Sequence, residues 1–268
     1  MEVFKGALKQ DNYDELLSKI FQKMDLGRIL KQQKKIIIKP NLVIAKPSPC
    51  TTDVRCVAAI VRFCQENTNG EIIIAEGSGG EDTGQCFRVL GYEKLAAAAG
   101  IKLIDLDDTP AVKLTNPDAY LYKEIYLPEI VLEGFFISVP ALKDHSITKV
   151  TLSLKNMIGI MPAKYYSGYW SYKKSEVHRY DVEKAIVDLL SYRRIDLSVI
   201  DGRIGQKRCH LSGPPCYPPK NMLIAGTDPV AVDSVGAHVL GWEPQAIDHI
   251  VYAQKKGFGV MACQIREV

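Results

Sequence analysis

Short β-branched runs alternate with stretches of helical periodicity along most of the chain. Ile36-Ile37-Ile38 is an apolar run of strand type that gives way abruptly to Lys39-Pro40-Asn41. Thr51 and Thr52 then offer N-caps to a helix whose Val54, Val57, Ala58, Val61 and Cys64 share one face. Ile72-Ile73-Ile74-Ala75 predicts a second buried strand, running into Glu76-Gly77-Ser78-Gly79-Gly80. A helical stretch ends in Ala96 to Ala99 with Gly100 as its terminator, and Ile101 to Leu106 reads as a third strand. Residues 111–127 predict a hairpin, because Asn116-Pro117-Asp118 is turn chemistry between two alternating segments.

The second half repeats the alternation. Phe135 to Val139 predicts a strand, Thr148 to Ile158 a helix, and Asp181 to Tyr192 an amphipathic helix with Val182, Ile186, Leu189 and Leu190 inward. Leu197 to Ile200 and Met222 to Ala225 are further short strands. Asp228-Pro229 opens a helix with an acidic cap and proline at the first position, and a last helix covers roughly Pro244 to Lys256. Strands and helices of these lengths predict an α/β fold: a mostly parallel sheet with helices on both faces and an added antiparallel hairpin. With no repeat and no convincing linker, residues 1–268 are expected to form a single domain, with sub-lobes about 1–110 and 111–268.

Composition narrows the class. Hydrophobic residues are 47% and charged residues 24%, which excludes disordered and fibrous chains. No run approaches the ~18 apolar residues of a membrane span. Met1-Glu2-Val3-Phe4-Lys5 lacks the basic start and apolar stretch of a signal peptide. Lysine and arginine number 34 against 31 acidic residues, too balanced to point to nucleic acid. The expectation is a cytoplasmic protein with neither a nucleic-acid nor a membrane partner. Seven cysteines are scattered without a Cys-x-x-Cys pair, so no zinc knuckle or dithiol redox motif is spelled. Cys56 and Cys64 fall in a helical pattern as small hydrophobes.

Candidate chemistry collects after the strands. Lys39 and Asn41, Glu76, Lys143 and His145, Asp201, and Asp228 each follow an apolar run. In a parallel sheet those positions share the carboxyl edge, where α/β proteins build ligand sites. Drawn as a helix, 147–159 puts Ile147, Val150, Leu154, Met157 and Ile158 on one face. Lys149, Leu152, Asn156 and Gly159 lie opposite, with Lys155 at the margin. That polar stripe either lines a pocket or faces solvent. Lys143, Lys149 and Lys155 around His145 favour an anion if they converge, and would hold the imidazole neutral, ready for base or ligand duty. The loop Tyr165-Tyr166-Ser167-Gly168-Tyr169-Trp170-Ser171-Tyr172 suits either a lid or a subunit contact, and His178 and Arg179 follow it. Asp228 reads as a helix cap or a cation ligand. Asp233, in a helix apolar nearly all round, needs a partner, for which Lys143 and Lys155 are candidates. Glu76, Asp201 and Asp228 form the candidate divalent-metal set. Gly77-Ser78-Gly79-Gly80 lacks the third glycine of a dinucleotide fingerprint, and acidic neighbours would repel a pyrophosphate. Neither a Walker A loop nor a Gly-x-Ser-x-Gly elbow occurs.

Several of these pieces recur together in one family. KPN at 39–41 with TT at 51–52, EG at 76–77 and KDHSITKVTLSLKNMIGIMP at 143–162 come first; His178, DG at 201–202, GPP at 213–215 and AGTDPVAVDSVGAHVLG at 225–241 complete the set. In order and combination the chain resembles the domain-of-unknown-function family 362 over nearly its whole length. Many members carry a ferredoxin-like iron–sulfur segment, which this chain lacks, so the resemblance does not bring a cluster with it. Cys216 stands where members usually have glycine. A more distant similarity to the nickel-dependent lactate racemase fold implies a small acid or a metal-containing cofactor in a cleft.

Three functional readings follow. The first is an enzyme acting on a small anionic molecule in a Lys/His/Asp-lined cleft at the carboxyl edge of the sheet, by a redox-linked, metal-linked or isomerising step. His145, Lys143 and Lys155 are then catalytic; Lys39, Asn41, Asn156, Lys149 and His178 bind substrate; Asp201, Asp228 and Asp233 orient them. The second is a non-catalytic binding or assembly subunit of a redox complex, working with a redox partner or as a homo-oligomer. The third is a metal-cofactor maturation or carrier protein.

Overall fold

The computed structural model describes residues 1–268. Its centre is one large sheet of strands β1 (Glu2–Ala7), β2 (Lys35–Pro40), β3 (Glu71–Glu76), β4 (Lys102–Asp105), β7 (Phe135–Val139), β10 (Leu197–Gln206), β11 (Met222–Gly226) and β12 (Gln264–Glu267), in the order β12-β1-β11-β10-β7-β2-β3-β4. All neighbours in that order run parallel except β11, which is antiparallel to both β1 and β10. The expected hairpin is β5 (Ala111–Thr115) with β6 (Glu124–Pro128), a separate two-stranded sheet.

Side-chain alternation explains why the central strands read as unbroken apolar runs. Ile36, Ile38, Ile72, Ile74, Phe135 and Ile137 pack on one face, with the helices Tyr13–Lys23 and Val54–Asn67. Ile37, Ile73 and Phe136 pack on the other, with Val182–Tyr192, Pro229–Leu240 and Asp248–Lys255. Both faces are covered, so every position of such a strand must be apolar until the strand leaves the sheet. No helix is long and apolar enough to cross a membrane.

The structure revises several expected elements. The helix expected over 148–158 is three pieces. β8 (Ala141–His145) turns back into β9 (Lys149–Thr151), then comes a single helical turn, Ser153–Asn156, and a 3-10 turn, Met157–Ile160. Thr148, Val150 and Thr151 are β-branched and suit a ribbon better than a helix. Lys149 takes φ 62°, a value that ends helical continuity. Leu152, placed on the polar side of the expected helix, is fully buried. Asp53, not Thr51 or Thr52, caps the helix Val54–Asn67 through its bond from Arg55 N. Thr52 instead donates to Val139 O at 2.6 Å and accepts from Asn41 N at 2.9 Å, tying the loop after β2 to the end of β7. β10 runs to Gln206, well past the expected Ile200. The expected last helix is a 3-10 turn, Pro244–Ala246, followed by Asp248–Lys255.

Candidate functional site

At the carboxyl edge of β2 and β3 a cavity of about 320 Å3 opens. Lys39 and Asn41 enter it from the end of β2, Glu76 from the end of β3, and Lys143 and His145 from β8. Lys155 and Asn156 come from the helical turn after β9, and His178 from the segment behind the aromatic loop. Eight residues singled out from the sequence therefore converge. Lys174, His210 and Thr151 also line the cavity and were not singled out.

One wall is a self-satisfied network. Glu76 Oε1 lies 2.7 Å from Lys39 Nζ, and the carboxylate accepts the N–H groups of Leu42 and Gly77, each at 2.9 Å. Lys39 Nζ also donates to Asn156 Oδ1 at 3.0 Å, while Asn156 Nδ2 donates to Lys39 O at 3.1 Å and Ser138 Oγ at 3.0 Å. Burial lowers the Lys39 pKa, and Glu76 works against that shift. A Cβ on Gly159 would overlap both Lys39 Nζ and Glu76 Oε1, so glycine is what lets the 3-10 turn close over this pair. Lys174 is held in the same manner by Asp107 and the Met161 carbonyl.

The opposite wall is different. Lys143 Nζ donates to Cys50 O at 2.6 Å and His210 O at 3.4 Å but meets no carboxylate; burial brings its pKa down to about 8. Lys155 is 9% exposed and makes neither a hydrogen bond nor an ion pair. Burial first and Lys143 second bring it down to about 8 as well.

Three imidazoles stand beside these cations. The His145 and His210 rings stack with centroids 3.8 Å apart, and His178 lies 5.1 Å from the Trp170 ring. Burial, then the Lys155 charge, brings His178 to about 4 and His210 to about 3, and holds His145 well below its ordinary value. The expectation of a neutral His145 agrees with this, but its expected role as a base does not fit the geometry. Nδ1 of His145 accepts the N–H groups of Ile147 at 3.1 Å and Thr148 at 3.2 Å. The neutral ring must then carry its proton on Nε2 and can only donate to a ligand. The Nδ1 atoms of His178 and His210 are buried without a partner, and so are Asn41 Oδ1 and Thr151 Oγ1. Four unsatisfied polar atoms thus belong to residues that line one cavity, although each atom is itself turned out of reach of solvent.

The remaining candidates lie elsewhere. Lys149 pairs across the β8–β9 ribbon with His145 but does not itself line the cavity. Asp201 is mid-strand, accepting from Tyr13 Oη at 3.0 Å, Asp53 N at 2.9 Å and Arg203 N at 3.2 Å. Asp228 caps its helix through Val230 N at 2.9 Å and Ala231 N at 3.0 Å, and its other oxygen takes Val260 N at 3.0 Å. Asp233 pairs with neither Lys143 nor Lys155. It accepts from Ser153 N and Leu154 N, both at 2.8 Å, and so holds the turn that presents Lys155; burial pushes its pKa up to about 6. Glu76, Asp201 and Asp228 are thus not gathered, and no three His, Cys, Asp or Glu side chains are arranged to hold a metal ion.

The family model described as Domain of unknown function (DUF362) matches residues 36–238. The chain belongs to the DUF362 family. In this DUF362 chain the matched span includes every lysine and histidine of the cavity. The chain is also similar to the Thylakoid-associated protein sll1697 of Synechocystis, 23% identical over 248 residues that cover 90% of this chain and 73% of that relative.

Proposed function

We propose that this DUF362 chain is an enzyme acting on a small anionic molecule bound in the cavity at the carboxyl edge of the sheet. The observation that carries this is Lys155: a buried ammonium with no partner in the protein, beside a second lysine that meets only carbonyls. An isolated buried cation is costly to maintain, and a bound anion is the partner that would compensate it. On this reading Lys143 and Lys155 hold the anionic group and His145 donates Nε2–H to it. His178 and His210, neutral and lining the cavity, are the groups able to accept a proton from the substrate. Lys39, Glu76 and Asn156 form the rigid floor. The chain would work in the cytoplasm; cell fractionation separates that from the thylakoid association named for the Synechocystis relative.

The test is turnover. The purified chain is incubated with an extract of small acidic metabolites in heavy water, and consumption or deuterium incorporation is followed by mass spectrometry. An acid altered by the wild type and left alone by Lys155→Met supports the proposal. Equal processing by both proteins overturns it. A second reading, an assembly subunit of a redox complex, is favoured by the exposed aromatic side chains Tyr169, Trp170, Tyr172 and Tyr180, of which Trp170 lines the cavity. It expects a defined complex and no turnover.

A further inference from the structure

The charges of the cavity specify its ligand more closely than the word anionic does. Four lysines line it. Lys39 is offset by Glu76 and Lys174 by Asp107, each pair in contact; Asp107 also lies 3.8 Å from Lys173, which does not line the cavity. Lys143 is solvated only by two carbonyl oxygens, and Lys155 by nothing in the protein. No further carboxylate lines the cavity. Two positive charges are therefore left over, both facing the cavity and both largely desolvated. A monoanion would offset one of them and leave the other buried beside a net-neutral pair, so most of the desolvation penalty would persist.

Resting on the anion reading above, we infer that the ligand is a small dianion, a dicarboxylate or a phosphate monoester, bridged between Lys143 and Lys155. A cavity of about 320 Å3 lies at the small end of ligand sites and holds such a molecule with room to spare. Asn41, His178 and His210 also line the cavity and make its wall polar. Both imidazoles stand within reach of the Lys155 charge, so the polar groups and the cations share one region of the cavity. Both lysines have pKa values near 8, so formation of the bridge draws them back to full protonation, and binding above that pH takes up protons.

The experiment is calorimetric titration of the full chain at constant ionic strength with two shape-matched pairs, malonate against propionate and sulfate against methanesulfonate. Each dianion is expected to bind at least about tenfold more tightly than its monoanionic partner. Lys155→Met should weaken the dianions on the order of a hundredfold, erasing that preference. Heats measured at pH 8.5 in buffers of different ionisation enthalpy should report proton uptake. Equal affinity for monoanions and dianions would overturn the dianion inference and leave the anion reading standing. No binding of any of the four by the folded wild type would sink both. The ratio within wild type decides the matter even if Lys155→Met fails to fold.

Discussion

The two walls of the cavity are built from the same residue type and finished in opposite ways. On the β2–β3 side, Lys39 has a carboxylate at 2.7 Å, an amide oxygen at 3.0 Å and a backbone carbonyl at 3.1 Å. On the β8 side, Lys143 has carbonyls alone and Lys155 has nothing. Burial is close to complete in all three, so depth does not separate them. What separates them is whether the fold supplies the counter-charge. A lysine that the protein neutralises is part of the architecture, and one left uncompensated depends on something that binds. The comparison also divides the histidines. His145 has its Nδ1 committed to the backbone, whereas His178 and His210 keep theirs free.

The largest effect is expected from breaking the finished wall. Glu76→Ala leaves Lys39 as a buried cation without its carboxylate and removes the acceptor for Leu42 and Gly77. Loss of one partner of a buried ion pair costs about 3–5 kcal/mol, enough to move the urea midpoint far down or prevent folding. A near-neutral Glu76→Ala would mean that Lys39 is no more structural than Lys155.

The open wall should respond with the opposite sign. Lys155→Met removes an uncompensated ammonium and keeps most of the volume, so the ligand-free variant should be more stable than the wild type. The pH dependence follows from the lowered pKa. Between about 8 and the ordinary lysine value of 10.5, the unfolded chain binds more protons at this site than the folded one. The site's contribution therefore grows more favourable as pH rises through that window. The penalty is full below pH 8, roughly 3 kcal/mol by linkage, and gone above about 10.5. Urea unfolding of both proteins at pH 7, 9 and 10.5 should show the variant's advantage shrinking step by step. A variant less stable than wild type at pH 7 would place Lys155 among the structural lysines. A saturating dianion should narrow the gap too, because it stabilises only the protein that binds it.

Which wall was legible beforehand depends on how far each residue lies from its strand. Lys39, Glu76 and Lys143 stand at strand ends or just beyond an apolar run, so alternation alone directs them to one edge of the sheet. Lys155 and Asn156 were picked from a helical wheel that the structure does not contain. They reach the cavity because the turn Ser153–Asn156 hangs from Asp233, a bond between residues 80 positions apart that no local pattern encodes. His210 was missed because β10 continues five residues past Asp201, carrying the loop that bears it beyond the apparent strand end and leaving Asp201 as a mid-strand anchor. Lys174 was missed because its placement is fixed by Asp107, which looks from sequence like an ordinary polar turn residue. Periodicity thus located the sheet and the edge that carries the cavity, while the counter-charges that distinguish the walls came from long-range contacts.

The smallest expected effect tests the rim shared by both walls. Trp170 reaches the cavity yet is 60% exposed, and Tyr172 beside it is 74% exposed. The loop that carries them is gathered by Ser175, whose Oγ accepts the N–H groups of Tyr169, Trp170 and Ser171 at 3.1–3.3 Å. Backbone bonds to a buried serine hold the loop whether or not its aromatic rings are present. Replacing Trp170 and Tyr172 together with serine should therefore change stability by no more than about 0.5 kcal/mol. If the rings serve the cavity, malonate affinity should fall severalfold while the mass measured by light scattering stays unchanged. If they serve a subunit contact, the mass should drop and malonate affinity should hold. The second result would leave the charged walls intact and transfer the aromatic loop from the site to an interface.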